Sequence, residues 1–358
     1  MPLSKISLRN FRCFDNLELS LSPGINFFYG PNGSGKTSLL EALFIFSSGK
    51  SFKSSNLAAL IKYNQTKFSL KGYDGTRGDI VEIEKNLDKP VQVVLNNKKV
   101  SSNKLLKKFP CTVIHNTTFS FANASPDFRR KLLDRSVAIS EESFMAIWFA
   151  YYKTLRHRNS LLKNNRISDI YAWNIKLSEL GVNLTKSRQD FFNQTLKHFK
   201  AILNLTNAIN VFDFLDLIEI EFFNGWDHQK SLLNNLEDNI DADSRRKTTL
   251  QGPHRSDIKF SINGIDAKQV LSRGEQKFFS ILWSCAQNEV LKNEYDIEPI
   301  LIIDDIKSEL DDRVYNLLLE IFKNNNNQII FSCIDNTFSS KITESFNQFK
   351  MFHVEQLR

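Results

Sequence analysis

The sequence lacks any long apolar run, and its opening residues lack the apolar core of a secretory signal. No stretch approaches the ~20 apolar residues that a membrane-spanning helix needs. Lys5 already introduces a charge near the start of the chain, so a secretory signal peptide is not indicated. We expect a cytoplasmic protein that has no membrane contact.

Cysteine is scarce as well. The four cysteines are far apart and lie among apolar residues, at Cys13, Cys111, Cys285 and Cys333. They form no CxxC pair and no pattern with histidine, which argues against a zinc site and against a disulfide framework. We expect buried free thiols in a reducing compartment.

The overall composition is that of an ordinary globular protein, and 358 residues are enough for roughly two domains. The net charge of +7 favours contact with a polyanion such as nucleic acid. A surplus of charge also serves solubility, so charge alone does not decide the function.

Proline and glycine are almost absent from the middle of the chain. From residue 127 to residue 251 there is no proline, and the only glycines are Gly181 and Gly225. A region so poor in helix breakers is expected to be mainly helical. We predict an α/β core built from residues 1–125 and 245–358, with a mainly helical lobe, residues 126–244, inserted between its two parts.

Apolar periodicity predicts individual elements. Alternation predicts half-buried strands around residues 17–21, 68–70 and 81–83, and Asn96-Asn97 predicts a hairpin turn. The spacing of residues 144–155 predicts a helix with Ser140 as its N-cap. The continuous apolar run 300–303 predicts a strand buried on both faces, with residues 328–331 as its neighbour.

A glycine-rich loop lies between a predicted strand, residues 25–29, and a predicted helix, residues 37–43. The loop is a complete GxxxxGK[ST] P-loop, formed by Gly30, Pro31, Asn32, Gly33, Ser34, Gly35, Lys36 and Thr37. Its backbone N–H groups and the start of the following helix are suited to phosphate oxygens. Lys36 is expected to reach the β- and γ-phosphates of ATP, and Thr37 to hold Mg²⁺. A P-loop alone leaves a kinase, a GTPase and an ABC ATPase open.

Two acidic residues follow the predicted strand 300–303. A carboxylate at the end of a buried strand comes beside the phosphates, so Asp304 is the second expected Mg²⁺ ligand. Asp305 is then placed to orient or deprotonate the attacking water. Solvated acids that end an ordinary strand would look the same, but the P-loop on the same chain favours the catalytic interpretation.

A third motif begins another predicted helix. Residues 271–275, with the sequence LSRGE, are similar to the ABC signature sequence and precede the strand of Asp304. A serine and a glycine at a helix start offer a hydroxyl and N–H groups to an anion, although a plain helix cap has the same pattern. In ABC proteins this motif reaches ATP held by a second subunit. Ser272, as a catalytic candidate, and Gly274 therefore imply a head-to-tail dimer, and residues 308–311 resemble the D-loop of that interface.

Further segments resemble one family in family order. Residues 8–14 resemble the opening of the SMC, RecN and RecF group, and residues 252–257, with the sequence GPHRSD, resemble a RecF element. Residues 127–134 and 155–163 are similar to two other RecF segments. The stretch between Thr37 and Ser272 is too short for the long coiled coil of SMC proteins. The chain thus resembles the RecF family, whose fold is an ABC-type ATPase head with an inserted helical lobe.

The resemblance implies an ATP-dependent DNA-binding protein of recombinational repair and replication restart. Such a protein binds duplex or gapped DNA as an ATP-bound dimer and hydrolyses ATP slowly in response to DNA. It helps RecO and RecR to load the RecA recombinase at gaps, with consequences for the SOS response. ATP and Mg²⁺ are the implied cofactors, and Arg12 in the opening segment is a further candidate ATP contact.

Some positions depart from the ABC pattern. Residues 113–117 have no glutamine or acid where a Q-loop is expected, residues 331–335 lack the switch histidine, and Lys307 stands where a small residue is expected. These departures predict slow turnover, and they keep open an ATP-binding adaptor without turnover. An OLD-type nuclease would need an acidic Toprim-like domain after residue 358, and we expect none.

Basic residues cluster in the predicted lobe. They are candidates for sequence-neutral phosphate contacts, although solvated helix faces carry the same charges. The candidates are Arg129, Arg130, Lys131, Arg135, Lys153, Arg156, Arg158, Lys163, Arg245, Arg246 and Lys247. For His254 and Arg255 we favour an approach to the nucleotide over a bracing role in the core. The phenylalanines fall at core spacing, so base stacking is not predicted.

Overall fold

The computed structural model describes residues 3–115, 121–205, 212–306, 310–324, 327–336 and 339–357. The strands in these ranges are β1 (Leu3–Phe11), β2 (Phe14–Ser20), β3 (Ile25–Tyr29), β4 (Lys67–Asp74), β5 (Ile80–Asn86), β6 (Gln92–Leu95), β7 (Lys98–Lys99), β8 (Cys111–Ile114), β9 (Ile218–Phe223), β10 (Asp257–Ile262), β11 (Ile265–Asp266), β12 (Ile300–Ile303), β13 (Ile329–Cys333) and β14 (Phe349–His353). The α-helices are α1 (Lys36–Ser48), α2 (Ser102–Lys108), α3 (Pro126–Ser140), α4 (Phe144–Lys163), α5 (Ile170–Leu205), α6 (Phe214–Leu217), α7 (Leu232–Asp238), α8 (Ile240–Arg246), α9 (Ala267–Val270), α10 (Arg273–Tyr295), α11 (Asp312–Asn324) and α12 (Ser339–Ser345). Within the same ranges, none of the helices combines the length and the apolar character that a membrane crossing requires.

An antiparallel sheet comes from the N-terminal part of the chain, with the strand order β2-β1-β4-β5-β6-β7. The three alternating stretches predicted as strands fall in β2, β4 and β5, and their apolar residues form the buried face. At the turn between β6 and β7, Asn96 and Asn97 have φ of 49° and 64°. Asparagine tolerates these values at the centre of a tight hairpin turn, and the predicted hairpin is confirmed.

A parallel sheet joins both ends of the chain, with the strand order β14-β3-β13-β12-β8. Every residue of β12 is buried, as its apolar run predicts, and β13 is its neighbour. The carboxyl ends of parallel strands meet at one edge of a sheet. The P-loop follows β3 at this edge, and the two acids follow β12.

The middle of the chain is mainly helical, as its lack of helix breakers predicts. One segment differs, because residues 218–223 form β9, which pairs with β10 in a small antiparallel sheet. Isoleucine and glutamate alternate from Ile218 to Glu221, and this period of two is typical of a strand. The boundary between core and lobe at residue 245 stays a proposal, since this sheet joins strands from both sides of it.

The start of α4 differs from the prediction. Ser140 is the last residue of α3, and its hydroxyl donates a hydrogen bond to the carbonyl of Val137 at 3.1 Å. α4 begins only at Phe144, after Ser143. The prediction of Ser140 as an N-cap is therefore wrong, because the apolar face of α3 stays buried as far as Ile139 and keeps that helix intact to its end.

Two apolar cores hold the layers together. One lies between the antiparallel sheet, α1 and one face of the parallel sheet, and the other joins the opposite face to α3, α5 and α10. In the second core, Trp283 of α10 packs against Phe192 and Phe199 of α5 and against Phe260 of β10. Each buried aromatic side chain contributes roughly 1.5–3 kcal/mol. These rings are core residues, as their spacing predicts.

Candidate ATP-binding site

The P-loop curls tightly between β3 and α1. Gly33 and Gly35 have φ of 81° and 108°, a region that glycine enters without strain. A Cβ atom at Gly35 would lie 2.8 Å from Cys13 Sγ and 2.9 Å from Phe14 Cζ, so a larger residue would also collide there. α1 begins at Lys36, and its first N–H groups have no intrahelical partners, which makes them available to an anion.

Lys36 folds back over the loop. Its ammonium donates hydrogen bonds to the carbonyl oxygens of Gly30 at 2.6 Å and Pro31 at 3.0 Å. Burial lowers the pKa of Lys36, while the carboxylates of Asp305 and Asp304 act in the opposite direction. Lys36 lines the same cleft as both acids, at the edge of the parallel sheet.

The two predicted Mg²⁺ ligands meet at this edge. Thr37 Oγ1 donates a hydrogen bond to Asp304 Oδ2 at 2.9 Å, although 267 residues separate them in the sequence. Asp304 Oδ1 accepts a hydrogen bond from Ser332 Oγ at 2.8 Å. A hydroxyl and a carboxylate are oxygen ligands of the kind that Mg²⁺ prefers, together with phosphate oxygens and water. The residues present therefore fit an Mg²⁺ ion that is bound together with ATP.

Asp305 lies at a tight corner after β12. Its φ is 51°, and its N–H donates a hydrogen bond to Ser332 Oγ at 2.8 Å. Its carbonyl accepts a hydrogen bond from the ammonium of Lys277 at 2.7 Å. Sequence reasoning missed Ser332 and Lys277. The signal for Ser332 is its place directly after the predicted strand 328–331, within the switch segment 331–335, whereas Lys277 has no comparable signal.

The P-loop and both acids line a cleft of about 580 Å³, a size that is usual for small-molecule sites. The cleft is lined by Arg12, Cys13, Asn32, Gly33, Gly35, Lys36, Thr37, Ser38, Lys53, Ala59, Ile61, Asp304, Asp305 and Ile334. Three of these side chains are cationic, which suits a triphosphate. At the loop itself, the hydroxyl of Ser34 is buried and makes no hydrogen bond with the described residues, so a phosphate oxygen would give it a partner.

Arg12 is held at the wall of the cleft by a buried carboxylate of α1. Glu41 is 1% exposed and accepts hydrogen bonds from Arg12 Nε at 3.0 Å and from Arg12 Nη2 at 3.2 Å. Ser51 donates a further hydrogen bond to Glu41. A bidentate pair fixes the plane of the guanidinium group. Sequence reasoning missed Glu41, because an acid inside a predicted helix has no distinguishing pattern.

The signature residues lie at the start of α10. The hydroxyl of Ser272 accepts a hydrogen bond from the N–H of Glu275 at 3.3 Å, and the Glu275 carboxylate accepts one from the N–H of Ser272 at 2.7 Å. Neither Ser272 nor Gly274 is among the described residues that line the cleft. Within one subunit, Ser272 acts as a helix cap, and any contact with ATP would need a nucleotide from elsewhere.

Two predicted elements fall partly outside the described residues. These positions are Asn116 and Thr117 of the Q-loop-like segment, together with Lys307, Ser308 and Glu309 at the D-loop-like segment. His115, just before the first of them, stacks on Phe52 with ring centroids 4.8 Å apart. Burial lowers the pKa of His115, and the charge of Asp304 opposes that shift.

Several basic residues predicted as phosphate contacts are engaged inside the protein. Arg129 donates two hydrogen bonds of 2.7 Å to the carboxylate of Asp257. Arg158 has no exposed surface and donates to Asp243 at 2.7 Å. The prediction of DNA contact is wrong for these two arginines, because helical spacing does not reveal an acid partner that lies far along the chain.

Two more arginines of the same set are also turned inward. Arg135 donates hydrogen bonds to Ser47 Oγ at 2.7 Å and to the carbonyl of Cys111, and Arg130 donates to the carbonyl of Ser256 at 2.7 Å. Both side chains are only partly exposed, and their contact with DNA stays a prediction. The exposed members of the predicted set are Lys131, Lys153, Arg156, Lys163, Arg245, Arg246 and Lys247.

His254 braces the loop before β10 and is not among the described residues of the cleft. Its Nε2 lies 2.9 Å from the carbonyl oxygen of Thr249, so Nε2 carries a proton and donates it. Nδ1 then accepts a hydrogen bond from the Tyr151 hydroxyl at 2.7 Å. Burial lowers the pKa of His254 to about 4, which keeps the ring neutral. The expectation that His254 approaches the nucleotide is wrong, and Arg255 does not line the cleft either.

Comparison with known proteins identifies the family from the sequence. The model of the RecF/RecN/SMC N terminal domain matches residues 2–356. A DNA replication and repair protein RecF from Pseudoalteromonas translucida is 31% identical over 364 residues, which cover 99% of this chain and 98% of that protein. A protein of the same name from Geotalea daltonii is 32% identical over 340 residues, with 93% of each chain covered.

Solved structures agree in fold. A structure of the recombination mediator protein RecF with ATP, from the RecFOR pathway, has a TM-score of 0.80 at 24% identity and covers 99% of this chain and 96% of that one. An SMC head bound to the C-winged helix domain of ScpA has a TM-score of 0.57 at 15% identity, with 95% of this chain and 91% of that one covered. The fold is therefore that of an ABC-type ATPase head. By its family model and its sequence relatives, this chain is a member of the RecF family.

Proposed function

We propose that the protein is an ATP-dependent DNA-binding protein of recombinational repair and replication restart. The observation that carries the proposal is the hydrogen bond between Thr37 and Asp304, in a cleft that also contains Lys36. It joins the P-loop hydroxyl to the carboxylate after β12, the pair that holds Mg²⁺ in P-loop ATPases. The sequence relatives, whose name refers to DNA replication and repair, supply the biological setting.

Each side chain has a task in the proposed hydrolysis. The N–H groups of the P-loop and the start of α1 bind the phosphates, and Lys36 exchanges its loop carbonyls for β- and γ-phosphate oxygens. Thr37 and Asp304 hold Mg²⁺, which supplies charge neutralisation when it is bound. Asp305 orients the attacking water and accepts its proton. Arg12, fixed by its carboxylate partner on α1, adds positive charge at the wall of the cleft.

A second subunit is part of the proposal. Ser272 and Gly274 lie at the start of α10 and outside the cleft of their own chain, so they would contact ATP held by another copy. The ATP-bound state is then a head-to-tail homodimer that encloses two nucleotides. On family resemblance we add RecR and RecO as partners in loading recombinase at gaps, with consequences for the SOS response.

DNA contact would come from the exposed basic residues of the lobe, among them Lys153, Arg156 and Lys163. Lysine and arginine neutralise phosphates without reading sequence, so binding to duplex or gapped DNA is expected to be sequence-neutral and to weaken with salt. The net charge of +7 supports contact with a polyanion. We assign the protein to the cytoplasm, with the DNA on which it would act.

Slow turnover is the proposed regime, because the switch segment has no histidine. Ser332, within that segment, is hydrogen-bonded to Asp304 and to the N–H of Asp305, so it holds the acids without supplying a basic side chain to the γ-phosphate. The same feature favours the alternative function, an ATP-binding adaptor of the SMC-like group without significant turnover.

Steady-state ATP hydrolysis with and without gapped duplex DNA tests the proposal. The native protein is expected to hydrolyse ATP slowly and to be stimulated by DNA, and Lys36→Ala is expected to lose both activities. Lys50→Ala, an exposed lysine outside the cleft, is the matched control and should behave as native. Tight ATP binding with no turnover under either condition would leave the adaptor as the function.

A further inference from the structure

The signature helix is attached to the catalytic corner of its own subunit. Lys277 follows Gly274 by three residues on α10 and is 1% exposed. Its ammonium donates a hydrogen bond to the backbone carbonyl of Asp305 at 2.7 Å. Burial of an ammonium group costs free energy that its hydrogen bonds must offset. The contact therefore links the first turns of α10 to the residue after Asp304.

The same face of α10 has further polar contacts along its length. Ser280 Oγ accepts a hydrogen bond from the N–H of Phe121 at 2.8 Å, and Asn288 Oδ1 accepts one from Thr112 Oγ1 of β8 at 3.0 Å. Residues 277, 280 and 288 lie on one side of a helix with 3.6 residues per turn. Since most of α10 is also buried in the core, we expect the helix to move as one rigid element.

The corner at Asp305 is held from two sides. On one side, the N–H of Asp305 donates to Ser332 Oγ at 2.8 Å, and the N–H of Ile306 donates to the Ser332 carbonyl at 2.9 Å. On the other side lies Lys277. The φ of Asp305 is 51°, a conformation that costs a non-glycine residue of order 1 kcal/mol and persists because its surroundings hold it. The direction of the Asp305 carboxylate thus depends on both β13 and α10.

We propose that Lys277 is a positioning residue that couples the signature motif to the catalytic carboxylate of the same subunit. When Ser272 and Gly274 engage a phosphate of the partner subunit's ATP, α10 shifts, and Lys277 carries that shift to Asp305. Each of the two sites would then report its occupancy to the other. The inference rests on the proposed ATPase function and its head-to-tail dimer.

Lys277→Met removes the ammonium and keeps an unbranched side chain, so it tests the link with little change in packing. Lys292→Met, a partly buried lysine in the last turn of the same helix, is the matched control. Two measurements are made on the full chain. One is amide hydrogen exchange of residues 300–306 without nucleotide, and the other is steady-state hydrolysis, analysed as kcat and KM for ATP.

The expected result for Lys277→Met is faster exchange at residues 300–306, with native exchange in the P-loop. Its kcat should fall by about 10- to 100-fold, the range for groups that orient a ligand or a catalytic side chain indirectly, while KM for ATP stays at its native value. Unchanged exchange, or faster exchange with an unchanged kcat, would overturn the inference. If methionine prevents folding, Lys277→Leu, which also lacks a donor, is subject to the same criteria.

The exchange measurement and the hydrolysis measurement also distinguish failure of this inference from failure of the proposed function. A native protein that binds ATP and never hydrolyses it would refute the proposed ATPase. In that case the exchange arm still decides whether Lys277 holds the corner, because it needs no turnover.

Discussion

Helical spacing predicts that Arg158 contacts DNA, whereas the structure shows that its side chain lies in the core. A substitution of Arg158 therefore tests one interpretation against the other. It has no exposed surface, and it donates hydrogen bonds of 2.7 Å to Asn174 Oδ1, Asp243 Oδ2 and Thr249 Oγ1. It thereby joins α4 to α5, to α8 and to the segment before β10. We predict that Arg158→Met destabilises the fold and leaves the DNA affinity of the folded protein unchanged.

The size of the effect follows from what the substitution leaves behind. Methionine keeps most of the apolar stem of Arg158, so the main loss is the charge. Asp243 has no exposed surface and would become a buried carboxylate with its cation removed, although the N–H of Leu250 still donates to it at 2.9 Å. Removal of one partner from a buried ion pair costs about 3–5 kcal/mol of unfolding free energy.

Urea denaturation of the native protein and of Arg158→Met measures the loss of unfolding free energy. DNA binding by both proteins at several salt concentrations tests whether the DNA affinity is unchanged. Arg156→Met is the matched control, since Arg156 is exposed on the same helix two residues earlier. It should change the unfolding free energy by less than about 0.5 kcal/mol and weaken DNA binding. A destabilisation below about 1 kcal/mol, with a loss of DNA affinity equal to that of Arg156→Met, would refute a structural role for Arg158.

The pH dependence of Arg158→Met gives a second measurement. Burial raises the pKa of Asp243 above its ordinary value, and the charge of Arg158 opposes this shift. The folded protein therefore binds more protons than the unfolded one between the two pKa values, and stability falls as pH rises through that window. Without Arg158 the folded pKa rises further and the window widens. The deficit of the variant should shrink on acidification, and a deficit independent of pH would contradict the part assigned to Asp243.

Three further predictions concern the catalytic acids, a tight turn and the DNA surface. Ser332→Ala removes a hydroxyl that contacts both acids, so kcat should fall about 10- to 100-fold while the equilibrium affinity for ATP stays native. A loss of ATP affinity as large as the loss of kcat would contradict the role of Ser332 in holding the acids. Gly225→Ala should lower the urea midpoint, because φ is +98° and the new Cβ would lie 2.2 Å from the carbonyl oxygen of Gly252; a native midpoint would contradict that geometry. Lys153→Ser and Lys163→Ser should each weaken DNA binding and reduce its salt slope by about 1, and an unchanged slope would place DNA elsewhere.

The sequence predicts those parts of the site whose functional residues are adjacent in the chain. The P-loop is eight adjacent residues between a strand and a helix, and both elements are where the pattern predicts them. The meeting of Thr37 and Asp304 is also foreseeable, because each follows a parallel strand and such strands end at one edge. The apolar run before Asp304 supplies the second strand.

The contacts that sequence reasoning missed cross between elements that no spacing relates. Arg12 lies in the turn between β1 and β2, and Glu41 lies inside α1. Their bidentate contact depends on how the turn packs against the helix. The prediction that Arg129 and Arg158 contact DNA is wrong for the same reason. Helical periodicity indicates on which face of a helix a residue lies, but it does not indicate which other element packs against that face. β9 is different, because its alternation of isoleucine and glutamate is visible, and the absence of breakers around it outweighed a correct local signal.

The buried side chain of Arg129 provides a structural connection between the proposed DNA-binding surface of the lobe and the ATP site. Arg129 on α3 grips Asp257, the first residue of β10, through two hydrogen bonds of 2.7 Å, and β9 of the middle segment pairs with β10 along its length. β10 continues through β11 and α9 directly into Ser272 and α10. A displacement of the lobe helices, where the exposed basic residues lie, would therefore be transmitted to the signature motif through β10, β11 and α9. Lys277 would extend that route to Asp305, so DNA bound at the lobe and ATP bound at the cleft would act on one continuous, hydrogen-bonded structure.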